Sequence, residues 1–202
     1  MKKNKRVWVN VFMIAICIIC FSVMSYAQGV YKTGSSKADN MKMSGTSTFH
    51  NWTMSSGTFS GEAQFGFASG GNKQLTGIKS LTFTLPVEDL KGSEKGLDKN
   101  AYEALKSGQY KDITYKLTSA QVMPANGGKY MVKTKGDLTI AGITKTIVMN
   151  VYCIVNKDGS ITCTGSDKLK MTDYSVKPPK FMMGAMTTGD DITLAFTSVY
   201  KQ

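Results

Sequence analysis

Apolar and polar residues alternate with a period of two along most of the chain, the pattern of strands that bury one face. Met41, Met43, Gly45 and Ser47 alternate with polar partners and run into Phe49. Phe59, Gly61, Ala63, Phe65 and Phe67 form the next stripe, and Leu81, Phe83, Leu85 and Val87 a third. Ile113, Tyr115 and Leu117 lead to Val122 or Met123, while Tyr130 and Val132 share parity with Leu138 and Ile140. Ile147, Met149, Val151, Cys153 and Val155 lie on one face. Ile161, Cys163, Leu169 and Met171 do the same, opposite Thr162, Thr164, Lys168 and Lys170, and Ile192, Leu194 and Phe196 complete the set. Eight strands separated by Gly, Asn, Asp and Pro signals are therefore expected, in one domain spanning 41–202. Residues 28–40 are polar and aperiodic and read as a lead-in.

One segment carries a helical pattern. Asp98 is placed to cap it, Ala101, Tyr102, Ala104 and Leu105 follow at helical spacing, and Ser107-Gly108 stops it. With no second helical run, an α/β layout is excluded. The fold class is all-β and antiparallel with one short helix, as a closed barrel or a sandwich. Large side chains (Phe59, Phe65, Phe67, Phe83, Tyr115, Phe196) crowd the inner face. An eight-stranded barrel either fills its interior with such side chains or holds one small ligand, and alternation admits both. Ala63 lies on the same stripe, where a Trp would fill a lumen.

The first 27 residues change the setting. Lys2, Lys3, Lys5 and Arg6 precede an apolar run from Val7 to Val23, which closes on Ser25-Tyr26-Ala27. Basic start, apolar core and small residues at −3 and −1 are the marks of a secretory signal peptide, removed after Ala27. The protein is expected to be exported, periplasmic or secreted. The remaining 175 of the 202 residues carry 21 Lys against 14 acidic residues, a formal charge of +7, and no Arg. Planar, bidentate recognition of phosphate or guanine is mostly arginine work, so nucleic acid is not the expected partner. Lysines scattered among Asp and Glu describe a solvated surface, with at most transient contact with an anionic membrane.

Cys153 and Cys163 flank Asn156-Lys157-Asp158-Gly159, a type I turn with Gly in the left-handed position. A three-residue loop of Lys157, Asp158 and Gly159 pairs Asn156 with Ser160 and sets the two thiols directly opposite. In an oxidising compartment that geometry suits a disulfide; the alternative is two buried free thiols packed as small hydrophobes. His50 is the sole histidine, with no thiol or carboxylate at metal spacing around it, so no metal site is expected. No nucleophile elbow accompanies it, so no catalytic residue is assigned and the protein is read as a non-enzyme. Phe181-Met182-Met183-Gly184-Ala185-Met186 follows Pro178-Pro179 and reads as a flexible apolar flap rather than a copper site.

Several stretches resemble the YceI-like family of exported lipid-binding barrels. Gly45-Thr46-Ser47-Thr48-Phe49-His50-Asn51-Trp52 resembles its first-strand motif, and the run from Gly136-Asp137-Leu138-Thr139-Ile140 to Thr144-Lys145 its most recognisable strand and turn. Leu97-Asp98 through Ile113 and Gly189-Asp190-Asp191-Ile192-Thr193-Leu194 are similar to its helix and last strand. The resemblance implies a lipocalin-like, eight-stranded barrel with an apolar tunnel for a polyisoprenoid, a quinone or polyprenyl lipid, and no other cofactor. On that reading Phe65, Phe67, Phe83, Leu85, Tyr115, Leu117, Met149 and Phe196 line the tunnel. His50, Trp52 and Tyr115 are the candidates for polar contact with the ligand. The family's Arg-Asp pair before the helix is Gly96-Leu97-Asp98 here, so an Arg contact to a head group is not expected.

Overall fold

The structure is a computed structural model and describes residues 29–34, 36–69, 74–93, 96–181 and 184–202. Residues 1–27, where a signal peptide is expected, and Met182 and Met183 of the expected flap lie outside the described residues. Twelve strands occur among them: β1 (Tyr31–Thr33), β2 (Asn40–Ser47), β3 (Asn51–Ser56), β4 (Ser60–Phe67), β5 (Leu75–Pro86), β6 (Lys91–Gly92), β7 (Asp112–Pro124), β8 (Lys129–Ile140), β9 (Ile143–Val155), β10 (Ile161–Lys170), β11 (Lys180–Phe181) and β12 (Met186–Tyr200). All pairings are antiparallel, in the order β1-β4-β5-β7-β8-β9-β10-β12-β2-β3-β6, with β11 on β12. The sheet curls into a half-barrel with one helix, α1 (Leu97–Leu105), across an end.

The expected eight strands are thus corrected to twelve, and the additions have physical causes. β3 was missed because Asn51, Thr53, Ser55 and Ser56 hide the alternation of buried Trp52 and Met54. β1 lies in the expected lead-in, where a single buried Tyr31 is too little for a period-two signal. Asp39 makes that corner specific. Its buried carboxylate accepts hydrogen bonds from Thr33 Oγ1 (3.1 Å), Gly34 N (2.9 Å), Ser36 N (3.0 Å) and Val199 N (2.7 Å). It thereby ties the β1–β2 turn to β12. Beside it Lys32 and Lys201 exchange backbone hydrogen bonds (2.7 and 2.8 Å), so the β1 edge of the sheet meets the end of β12.

The β9–β10 hairpin follows the expected register. Asn156 N donates to Ser160 O (2.8 Å), Gly159 is left-handed at φ 85°, and Cys153 faces Cys163. At the β8–β9 turn both Ala141 (φ 48°) and Gly142 (φ 79°) are left-handed, the two-residue hairpin geometry that matches strand twist. Helix α1 ends as expected but starts differently. Gly96 occupies the N-cap position, and Asp98 instead accepts from Gly92 N at 2.7 Å. Tyr102 staples the helix down, its hydroxyl directed at Glu88 O (2.8 Å) and Leu90 O (2.7 Å).

One seam is incomplete. The β5–β7 ladder joins Thr82–Pro86 to Asp112–Lys116 and goes no further, so the first half of β5 and the second half of β7 are unpaired with each other. On either side of Met182 and Met183, Phe181 pairs with Met186 and Lys180 with Thr187, extending β12.

Candidate functional site

Two apolar chambers occupy the inside of the curled sheet. The deeper one, a cavity of about 110 Å³, is lined by side chains from β2, β5, β7, β8, β9, β10 and β12. Phe83, Leu85, Tyr115, Leu117, Met149 and Phe196 all face it, as the strand parity predicts, while Lys116, Lys168 and Lys170 are exposed. The second, about 140 Å³, lies beneath α1 and is lined by His50, Trp52, Asn100, Ala104, Tyr174 and Thr188 among others. Met43, Ile113, Ile140 and Ile192 border both chambers, forming a neck between a mouth and a deep lumen.

Bulky inner residues leave this space open because the facing strands offer glycine. Gly165 pairs with Phe196, and a Cβ there would strike the Phe196 ring. A Cβ at Gly136 would likewise meet the Tyr115 ring, and one at Gly45 the Trp52 indole. Each aromatic side chain therefore lies flat on a neighbouring strand instead of reaching across the lumen.

Phe65 and Phe67 do not line either chamber. Phe65 is 1% exposed and sits edge-on to Tyr31 and Tyr200, with ring centroids 5.3 and 5.5 Å apart. Phe67 leans on Tyr31 at 6.3 Å. These rings plug the end of the barrel opposite α1, and Ala63, which faces Tyr31, belongs to the plug rather than to the lumen. Tyr31 and Tyr200 were invisible as site neighbours in the sequence, since neither lies in an expected strand.

No Asp, Glu, Lys or Arg lines either chamber among the described residues. Burial pushes the Tyr115 phenol up, with the Thr134 hydroxyl opposing. Burial first, then the negative charges of Asp173 and Asp167, push Tyr174 up to about 12. The Tyr174 phenol oxygen is buried without a hydrogen-bond partner. Tyr174 is held in place from outside. Asp190 accepts from Thr172 N (2.9 Å) and Thr172 Oγ1 (2.7 Å), fixing the 3-10 turn Met171–Tyr174 against β12. His50 sits exposed at the β2–β3 turn with Nδ1 3.1 Å from the Asn51 carbonyl, and Trp52 Nε1 donates to Thr46 O at 3.1 Å. At the deep end Cys153 and Cys163 are buried thiols with Sγ atoms 2.9 Å apart, so the expected disulfide is not formed in this structure. The hydrogen bond between them, followed by burial, holds the Cys163 thiol well above its usual range.

The same curled sheet recurs in solved structures of low sequence identity. Burkholderia cenocepacia BcnA superposes with a TM-score of 0.62 at 18% identity, covering 80% of this chain and 95% of that one. A polyisoprenoid-binding domain from Saccharophagus degradans, implicated in plant cell wall breakdown, gives 0.63 at 11% identity, covering 86% and 99%. A Campylobacter jejuni YceI protein gives 0.50 at 21% identity, covering 70% and 81%. A search of the curated proteins returns no match. The model of the YceI-like domain matches residues 33–200, which takes in every lining residue of both chambers, and the chain belongs to the YceI-like family.

Proposed function

We propose that the protein is an exported, non-enzymatic carrier that holds one polyisoprenoid lipid, a quinone or polyprenyl lipid, in its lumen. The observation that carries this reading is the neck: a mouth chamber and a deep chamber share four residues, giving an elongated apolar path suited to a chain rather than a compact ligand. The aromatic plug closes one end, and α1 covers the other. The structural neighbour described as a polyisoprenoid-binding domain supports the same class of ligand. Extraction of the purified protein with organic solvent, followed by mass spectrometry, should release an isoprenoid lipid at up to one molecule per chain. A protein that yields no lipid and takes up none when offered would be a structural or protein-interaction barrel.

Export brings the thiols into an oxidising compartment, where the facing pair closes to a disulfide. Protein isolated from that compartment should show no free thiol under denaturing conditions. A link across this hairpin contributes about 2–3 kcal/mol in the chain-entropy account, so reduction should lower the unfolding temperature by several degrees. Two titratable thiols would show instead that the pair serves as buried hydrophobes.

A further inference from the structure

Resting on the reading of the lumen as a lipid site, we propose that Tyr174 Oη donates a hydrogen bond to the lipid's head group in the mouth chamber. That head group is uncharged and oxygen-bearing, a quinone carbonyl, a phenol or an alcohol, and not a phosphate. Three observations converge on it.

Tyr174 is 2% exposed, lines the mouth chamber, and has a buried hydroxyl with no partner. Leaving a buried donor unsatisfied is costly, so an acceptor supplied by a ligand would recover what the empty chamber forfeits. The turn that carries it is pinned by two hydrogen bonds from Thr172 to Asp190, which fixes the backbone beneath Tyr174.

The charge of the head group follows from the lining. No Lys or Arg borders either chamber among the described residues. A phosphate brought into such a space would lose its hydration with only the exposed imidazole of His50 at hand and no Lys or Arg to pair its charge, which is costly. The acidic charges felt by Tyr174, from Asp173 and Asp167, make an anion still less welcome. The same charges and burial keep the phenol protonated throughout the neutral range, as a donor must be. Orientation follows: the head stays under α1, beside Tyr174 and Asn100, and the prenyl chain passes the neck into the deep chamber.

Four probes with matched tails of four isoprene units test this by calorimetry on the mature protein: menaquinone-4, geranylgeraniol, geranylgeranyl phosphate and the hydrocarbon phytane. The wild type should bind the quinone and the alcohol at least about tenfold more tightly than the phosphate. Tyr174→Phe should weaken the quinone and the alcohol by roughly five- to tenfold and leave phytane unchanged. It should also unfold at the same temperature as the wild type or higher, because the hydroxyl it removes bonds to nothing in the protein. Equal affinity for phosphate and alcohol, unchanged quinone binding in Tyr174→Phe, or a marked loss of its stability would each overturn the proposal. If those occur while phytane binds, only the head-group assignment falls. If no probe binds, the carrier reading falls with it.

Discussion

Ile113→Trp should lower the affinity for a long prenyl lipid by at least about 100-fold while leaving the fold in place. Ile113 borders both chambers and faces Leu85 across the β5–β7 ladder, so an indole there projects into the neck. A chain stopped at the neck leaves its far end out of the deep lumen. Each buried CH₂ is worth about 0.8 kcal/mol, so excluding one five-carbon unit already forfeits about 4 kcal/mol, several hundredfold in affinity. The added volume strains the neck by about 1–3 kcal/mol, which the protein should survive. Ile192→Trp reaches the same neck from β12 and guards against a local failure of the first variant. Lys116→Trp, exposed on the outer face of β7, should bind like the wild type. Calorimetric titration with menaquinone-4 or a longer homologue reads all three. Neck variants that bind as tightly as the wild type would mean that no ligand passes between the chambers, and the carrier reading would fail.

The contrast between Phe65 and Phe196 explains how far the sequence could be read. Period-two alternation placed Phe83, Tyr115, Leu117, Met149 and Phe196 on the lumen side because a half-buried strand exposes its parity directly. The β9–β10 turn fixed the Cys153–Cys163 pairing, since loop length sets hairpin register. Alternation says nothing, however, about what stands opposite an inward side chain. That Phe196 lies over Gly165, and Phe65 against Tyr31 and Tyr200, depends on which strands meet across the sheet: Phe196 and Gly165 are 31 residues apart (196 − 165), Phe65 and Tyr200 135 (200 − 65). Both residues therefore read alike, although one borders a cavity and the other plugs its end. Strands β1 and β3 escape for a different reason: β1 is three residues with Tyr31 as its one apolar side chain, and in β3 Asn51, Thr53, Ser55 and Ser56 leave only Trp52 and Met54 to announce a buried face. Tyr174 escaped because it sits in a 3-10 turn, where no periodic signal exists.

Phe65→Ala should be the most damaging single truncation in the barrel, at about 3–5 kcal/mol. Its ring is fully enclosed between Tyr31 and Tyr200, and neither neighbour can collapse into the space without breaking the other's edge-to-face contact. For a domain of this size each kcal/mol shifts the unfolding midpoint by about 2–4 °C, so a fall of about 10–15 °C is expected. Phe196→Ala should behave differently. Its ring is half-buried, lies on Gly165 and borders the deep chamber, so its removal enlarges a space that is already open instead of creating a new void. Only the transfer contribution of a partly buried ring is lost, about 1–2 kcal/mol, less than half the cost at Phe65. Thermal unfolding of the two variants without ligand separates the cases. Equal losses would mean that Phe196 is packed as tightly as Phe65, that the lumen is a solid core, and that the space assigned to a lipid does not exist.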